Sequence, residues 1–144
     1  MLSKIPAAYI AGLKVESVTS ETAMVSVKKE WLNQNPFRSI YFAVLSMAAE
    51  MSTGILCMAA LYKRNPPVSM LITKIEGSFI KKAIGKVVFT CNDGMLANNA
   101  VEKAMATGEG TTVVCHSIGV NEQGELVAEF YCTWSFKARN VTRT

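Results

Sequence analysis

Charged residues are scarce in this sequence. They make up 18% of its 144 residues, and the excess of Lys and Arg leaves a net charge of only +4. A surplus this small and dispersed gives little support for a nucleic-acid partner, and no helix-turn-helix pattern is present. Half of the residues are hydrophobic, which excludes a disordered chain. The length predicts a single domain that can bury a core of its own.

Cysteine and histidine are too few and too scattered for a familiar metal motif. The cysteines Cys57, Cys91, Cys115 and Cys132 form no CxxC pair, and there is one histidine. We therefore expect no metal site and four free thiols in a cytoplasmic protein. The first residues, 1–6, contain no long apolar stretch of the kind found in secretion signals, which favours the same compartment.

One long apolar run extends from Ile40 to Tyr62. It is long enough to cross a bilayer, so both a membrane span and a buried helix have to be considered. Glu50 lies near its middle, and a carboxylate at the centre of a lone span is costly. No other stretch is long and apolar enough to pair with it. We therefore predict no membrane span but a helix in the core of a protein.

Most of the remaining sequence alternates with the period of a β-strand. Alternation and turn residues predict a short helix at 95–106 and strands at 10–18, 22–29, 70–80, 86–92, 111–120 and 125–138. Gly77 marks a possible bulge in the third strand. An antiparallel sheet with one apolar face needs a cover, and a helix that is apolar almost all round can be wrapped by a curved sheet. We therefore predict an α+β domain over residues 1–144.

A polar stripe runs along the predicted core helix. Ser46, Glu50, Thr53 and Cys57 are spaced as neighbours on one helical face. Burial raises a carboxylate's pKa towards neutrality, which suits a general base. Asn35, in the loop before the helix, could polarise a carbonyl or hold a water. The alternative is that Glu50 is a buried acid bonded to a hydroxyl or backbone group, with no chemical role.

This order of elements resembles the hotdog fold, in which a curved antiparallel sheet wraps a long central helix. The layout is most similar to the PaaI-like branch of the hotdog acyl-CoA thioesterases, and the resemblance covers the whole chain. That branch carries an Asn, then His-Gly-Gly at the helix start, then an acid two turns into the helix. Here Asn35 and Glu50 are fifteen positions apart, as in that branch. Residues 41–43, Tyr-Phe-Ala, replace the His-Gly-Gly.

The resemblance implies a catalytic set. Glu50 would act as general base or nucleophile, and Asn35 would orient the water or the thioester. The backbone N–H of Phe42, at the helix N-terminus, would polarise the thioester carbonyl. Thr53, one turn beyond Glu50, would hold the water. The family's site forms between two subunits, so the resemblance implies a homodimer or a dimer of dimers.

A second group of residues is expected to contact the substrate. Tyr41 and Ser46 flank the implied site on the helix, and Ser69 begins the next strand. Lys81 and Lys82 fall where related proteins place cations near the phosphates of coenzyme A, and Lys suits phosphate as a point charge. An ordinary solvated turn explains these two lysines equally well. Coenzyme A would enter as part of the substrate, with no other cofactor.

Two functions remain open at this stage. One is hydrolysis of a fatty or aromatic acyl-CoA. The other is binding of an acyl or other apolar ligand without turnover, which the bulky Tyr41 and Phe42 and the Met-rich interior favour. His116 alternates with Val114 and Ile118 along a strand, with no acidic partner evident. This predicts a structural histidine and argues against a hotdog dehydratase, which would need a His–acid pair near the helix.

Overall fold

A computed structural model describes residues 5–139 of the chain. Three α-helices and six strands follow one another in the order that the sequence predicts after its first few residues. Their bounds are α1 Pro6–Ile10, β1 Leu13–Val18, β2 Ala23–Lys28, α2 Phe42–Leu61, β3 Val68–Phe79, β4 Lys86–Cys91, α3 Gly94–Thr107, β5 Thr111–Val120 and β6 Leu126–Ala138. A single 3-10 turn, Trp31–Asn33, precedes α2.

The six strands form one sheet in the order β1-β2-β4-β5-β6-β3, and all neighbouring pairs are antiparallel. Helix α2 packs against the inner face of this sheet, which carries the core side chains Val25, Val27, Phe89, Phe130 and Phe136. Among the described helices, α2 alone is long and apolar enough to cross a membrane. Eleven of its 20 residues are buried, so it is the core helix of the domain.

Two details of the first and third strands differ from the sequence prediction. The strand expected from residue 10 begins at Leu13, because Pro6 opens a short helix and Gly12 turns the chain with a φ of +87°. The bulge in β3 lies at Thr73 and not at Gly77. Gly77 stays in register opposite Phe130, and a Cβ there would overlap the Phe130 ring.

Backbone hydrogen bonds hold the start of α2 in place. The N–H of Ile40 donates to the carbonyl of Ala83 at 2.8 Å, and the N–H of Tyr41 donates to the carbonyl of Asn33 at 2.8 Å. Asn33 is itself 2% exposed, and its side-chain amide donates to the carbonyls of Ala11 and Lys28. The residues leading into α2 are thereby anchored both to the connection between β3 and β4 and to the 3-10 turn that precedes the helix.

Candidate functional site

Glu50 lies on α2 at the edge of an open groove, which we call the acid groove. The groove has a volume of about 620 Å³ and is lined by Glu50, Met58, Leu61, Val68, Ser69, Met70, Leu71, Ile72, Trp134 and Arg139. Burial raises the pKa of the Glu50 carboxyl above the usual value for glutamate. A carboxylate of this kind combines access from solvent with a pKa moved towards that of a useful base.

Thr53 and Trp134 connect the backbone of Glu50 to the sheet. The Thr53 hydroxyl donates to the carbonyl of Glu50 at 2.8 Å and accepts the indole N–H of Trp134 at 2.9 Å. Gly54 leaves room beside them: a Cβ at this position would be 3.6 Å from the Glu50 carboxylate and 3.2 Å from the Trp134 ring. The carboxylate therefore lies near the indole, which forms part of the groove wall.

The role predicted for Thr53 in holding a water stays a prediction. In the structure its side chain is fully buried, and its single proton is committed to the carbonyl of Glu50. The geometry suits Thr53 better for holding the helix turn that carries Glu50 in register with Trp134.

Removing this hydroxyl should destabilise the protein. Thr53→Val is expected to lower the free energy of unfolding by about 1–3 kcal/mol, because it leaves the buried indole N–H of Trp134 without an acceptor. Urea unfolding of the variant and of Thr53→Ser, which keeps the hydroxyl, measures the difference. Equal destabilisation in the two variants would show that the bond to Trp134 contributes little.

The buried carboxyl of Glu50 should also make stability depend on pH. Because its folded pKa is raised above the unfolded value, the folded state holds the proton more tightly, and ionisation weakens folding. This loss of stability is absent below about pH 4, where Glu50 is protonated in both the folded and the unfolded state. It becomes complete as pH rises through the folded pKa. Glu50→Gln cannot ionise, so it should be more stable than wild type at pH 8 and converge with it at pH 4. A difference in urea midpoint that does not vary with pH would contradict this.

A second groove lies at the beginning of α2, and we call it the helix-start groove. Its volume is about 470 Å³, and its lining includes Asn35, Tyr41, Phe42, Phe79, Lys81 and Lys82. Phe42 is the first residue of α2, so its N–H has no acceptor within the helix and lies at the positive end of the helix dipole. This is the position at which the resemblance to the hotdog thioesterases implies an oxyanion donor.

Asn35 reaches this groove from the loop. Its side-chain NH₂ donates to the Ser39 hydroxyl at 2.9 Å, and its side-chain oxygen accepts the N–H of Phe37 at 2.9 Å. These bonds order the loop between residues 35 and 39. Any contact between Asn35 and a ligand would be made by a side chain already held in place.

The rings of Tyr41 and Phe42 border the helix-start groove without closing it. Tyr41 and Phe42 are 46% and 56% exposed, and their rings meet edge to face with centroids 5.0 Å apart. Phe42 makes a similar contact with Phe79 at 5.9 Å. Aromatic edges and faces thus form an apolar rim around the free N–H of the helix start.

The two serines predicted to contact substrate lie in different places. The Ser46 hydroxyl donates to the carbonyl of Phe42, one turn earlier on α2, at 2.9 Å. Ser69 lines the acid groove, and its hydroxyl donates to the carbonyl of Lys137 at 3.2 Å. Of the two, only Ser69 shares a groove with Glu50.

The two lysines both line the helix-start groove. Lys81 forms an ion pair with Glu125 at 2.7 Å, and both side chains are about half exposed. Lys82 is exposed at the same turn. Positive charge is therefore available at the rim of this groove, beside the aromatic side chains.

One chain does not bring the predicted catalytic residues into a single groove. Among the described residues, the acid groove and the helix-start groove have no lining residue in common. Phe42 and Glu50 are separated by about 12 Å along the axis of α2. Asn35 and Phe42 line the helix-start groove and Glu50 lines the acid groove, so their joint action in one site stays a prediction.

The structure also reveals partners that the sequence did not. The sequence analysis found no acidic partner for His116, but the structure supplies one: the His116 Nε2 lies 3.3 Å from a carboxylate oxygen of Glu129. The His116 ring also stacks on that of Tyr131, with the ring centroids 4.3 Å apart. The partners come from the neighbouring strand, so only the β5–β6 register could have predicted them. Trp134 lies buried on β6, and the sequence analysis did not predict its hydrogen bond to Thr53.

Comparison with known structures places this fold in a class. A Pseudomonas aeruginosa protein of unknown function, described as a probable thioesterase, superposes with a TM-score of 0.84 at 19% identity, covering 96% of this chain and 91% of the other. A thioesterase from Haemophilus influenzae gives 0.65 at 12% identity, with 92% and 82% covered. A Staphylococcus aureus thioesterase variant gives 0.68 at 13%, with 92% and 97% covered.

At these identities the similarity establishes the fold, and it confirms the expected hotdog architecture. The molecule is thus a hotdog-fold protein of the kind seen in thioesterases. The chain belongs to the family called Domain of unknown function DUF4442, whose model matches residues 1–136. No curated protein matches the sequence significantly.

Proposed function

We propose that this protein hydrolyses the thioester bond of an acyl-CoA. The observation that carries the proposal is the half-buried Glu50 carboxylate, which faces an open groove and has a raised pKa. As general base, Glu50 would take a proton from water while the oxygen attacks the thioester carbonyl, and would return that proton to the leaving sulfur as the C–S bond breaks. As nucleophile, it would attack the carbonyl itself and form an acyl anhydride, which water would then hydrolyse to the free acid and the Glu50 carboxylate. The N–H of Phe42 would stabilise the developing oxyanion, and coenzyme A would leave as the thiol.

The complete site requires two copies of the chain. Strand β3 is an edge strand of 12 residues, and its exposed apolar side chains include Leu71 and Ile75. A long apolar edge of this kind favours pairing with another strand. If the β3 strands of two copies pair antiparallel about a two-fold axis, the beginning of one lies beside the end of the other.

Such pairing would bring the two grooves together. The acid groove includes residues 68–72, at the beginning of β3, whereas the helix-start groove includes Phe79, at its end. Glu50 and Ser69 of one copy would then face Asn35 and Phe42 of the other. The proposed assembly is a homodimer, or a dimer of such dimers.

The substrate would be held at both ends. Lys81 and Lys82 at the groove rim suit the phosphates of coenzyme A. The apolar rim of Tyr41, Phe42 and Phe79 suits the acyl part, whether fatty or aromatic. Hydrolysis of this kind needs no cofactor beyond the coenzyme A of the substrate. We place the activity in the cytoplasm and, from the Asn35–Glu50 spacing, in the PaaI-like branch.

Release of free coenzyme A from a panel of fatty and aromatic acyl-CoAs tests the activity directly. A thiol-reactive dye detects the product continuously, and the proposal requires turnover of at least one substrate above the rate in buffer. Failure of purified, folded protein to release thiol from any member of the panel would reject it.

Mixing two inactive variants tests whether the site is shared. Glu50→Gln and Phe42→Pro would each disable every site in their own homodimer. A mixed dimer would contain one site with both groups intact, so refolding equal amounts together should restore about a quarter of the wild-type activity. No recovery, despite mixed dimers detected by native mass spectrometry, would place both groups of each site on the same chain.

The second candidate is a binding protein that does not turn its ligand over. The observation that favours it is the aromatic rim, since Tyr41 and Phe42 stand where the resembling family keeps small residues. Native mass spectrometry distinguishes the two: a binding protein should retain an acyl species after purification and release no thiol from acyl-CoA. A clean apo mass together with measurable hydrolysis would reject this candidate.

A further inference from the structure

Two thiols and a carboxylate meet at the end of the sheet, away from both grooves. The Sγ atoms of Cys91 and Cys115 and a carboxylate oxygen of Asp93 all lie within 4.8 Å of one another. Cys91 ends β4, Cys115 lies on β5, and Asp93 immediately precedes α3. The register of β4 and β5 brings together residues that are far apart in sequence, which explains why spacing along the chain indicated no metal motif.

The carboxylate of Asp93 is oriented towards the thiols by the backbone. Asp93 occupies the N-cap position of α3, where an aspartate ordinarily accepts an N–H of its own helix, yet it makes no such bond. One of its oxygens instead accepts the backbone N–H of His116 at 2.7 Å and lies 3.9 Å from the thiol of Cys91. An oriented ligand of this kind is typical of metal sites, where a neighbouring donor holds the first ligand in place.

The two thiols are enclosed by the protein. Cys91 and Cys115 are both 0% exposed, while Asp93 is half-buried and gives the cluster a path to solvent. Two thiols and one carboxylate are donors of the types that zinc binds, and a site with three protein ligands leaves the fourth position to water.

We propose that Cys91, Asp93 and Cys115 form a zinc site that ties β4, β5 and the start of α3 together. Tetrahedral zinc with Zn–S bonds of about 2.3 Å places neighbouring ligand atoms roughly 3.5–4 Å apart, so the observed cluster would contract by about 1 Å or less. Zinc would bind the two sulfurs as thiolates, and the two thiol protons would pass to solvent. Cys57 and Cys132 are outside the set, because the donor atoms that lie together are those of Cys91, Asp93 and Cys115.

Metal analysis of the full-length protein tests the site. Reduced protein is incubated with zinc, freed of unbound metal by gel filtration, and analysed by mass spectrometry for zinc. The proposal requires about one zinc ion per chain. Cobalt added in place of zinc should give the intense near-ultraviolet bands of thiolate coordination and the visible bands of a tetrahedral ion.

Matched variants identify the ligands. Cys115→Ala should lose the metal, whereas Cys132→Ala should keep it; the two residues lie directly opposite each other in β5 and β6 and are equally buried. Asp93→Asn should also bind less zinc, although its amide oxygen can still accept the N–H of His116 and so preserve the fold. Circular dichroism confirms that each variant is folded before its metal is measured.

Three results would overturn the proposal. The first is wild-type protein that binds neither zinc nor cobalt, which would leave the cysteines as small apolar core residues. The second is equal loss of zinc in Cys115→Ala and Cys132→Ala. The third is full zinc content in Asp93→Asn. None of these readouts depends on thioesterase activity.

Discussion

Glu50→Gln is expected to lower kcat for acyl-CoA hydrolysis by about 10²–10⁴-fold, the usual contribution of a general base. The amide occupies the same volume in the acid groove but can neither accept a proton from water nor attack the thioester. Because the loss falls on the chemical step, KM should change little. Steady-state release of coenzyme A from the best substrate of the panel measures both constants.

Glu129→Gln provides the matched control for this experiment. Glu129 is also partly buried, but it lies on β6 beside His116 and lines neither groove among the described residues. Its variant should retain the wild-type kcat. If both variants hydrolyse acyl-CoA at the wild-type rate, Glu50 has no catalytic role and is a buried acid of the core helix.

Phe42→Pro is expected to reduce kcat by about 10²–10³-fold, the cost of losing one oxyanion donor. Proline removes the N–H but is well tolerated at the first position of a helix. The preceding residue, Tyr41, already has φ −59° and ψ 136°, which is the extended conformation that a residue before proline requires. The substitution therefore removes the donor while leaving the start of α2 intact.

Phe42→Ala distinguishes the contribution of the backbone N–H from that of the aromatic ring. It keeps the N–H, so kcat should stay near that of wild type, while loss of the aromatic rim should alter KM for the acyl group. Circular dichroism checks the helix content of both variants. Equal kcat values for the proline and alanine variants would show that the N–H of Phe42 does not stabilise the transition state.

Local patterns account for most of the elements that the sequence predicted. The strand expected at 111–120 has these bounds in the structure, and the core helix expected at 40–62 begins and ends within two residues of the prediction. Both depend on periodicity over neighbouring residues, which local geometry controls. The short helix Pro6–Ile10 was wrongly included in part in the first strand, because too few residues carry a helical period there.

Individual residues of the candidate site were predicted from the sequence, but their arrangement in space was not. The polar stripe of α2 and the loop before it pointed to Glu50 and Asn35 as candidates, because both features are local, whereas Phe42 was a candidate only through the resemblance to the hotdog thioesterases. Their separation into two grooves depends on how α2 lies across the sheet. No periodicity within one element determines that placement.

The sequence by itself determined the class of fold, the order of the elements and the acid buried in the core helix. Only the tertiary structure decided which side chains meet across the sheet. Trp134 and Thr53 are 81 residues apart yet share a hydrogen bond, and Cys91, Asp93 and Cys115 converge because β4 and β5 pair in one register. Strand register is set by the packing of whole faces and by the turns between strands, so local sequence does not reveal these contacts.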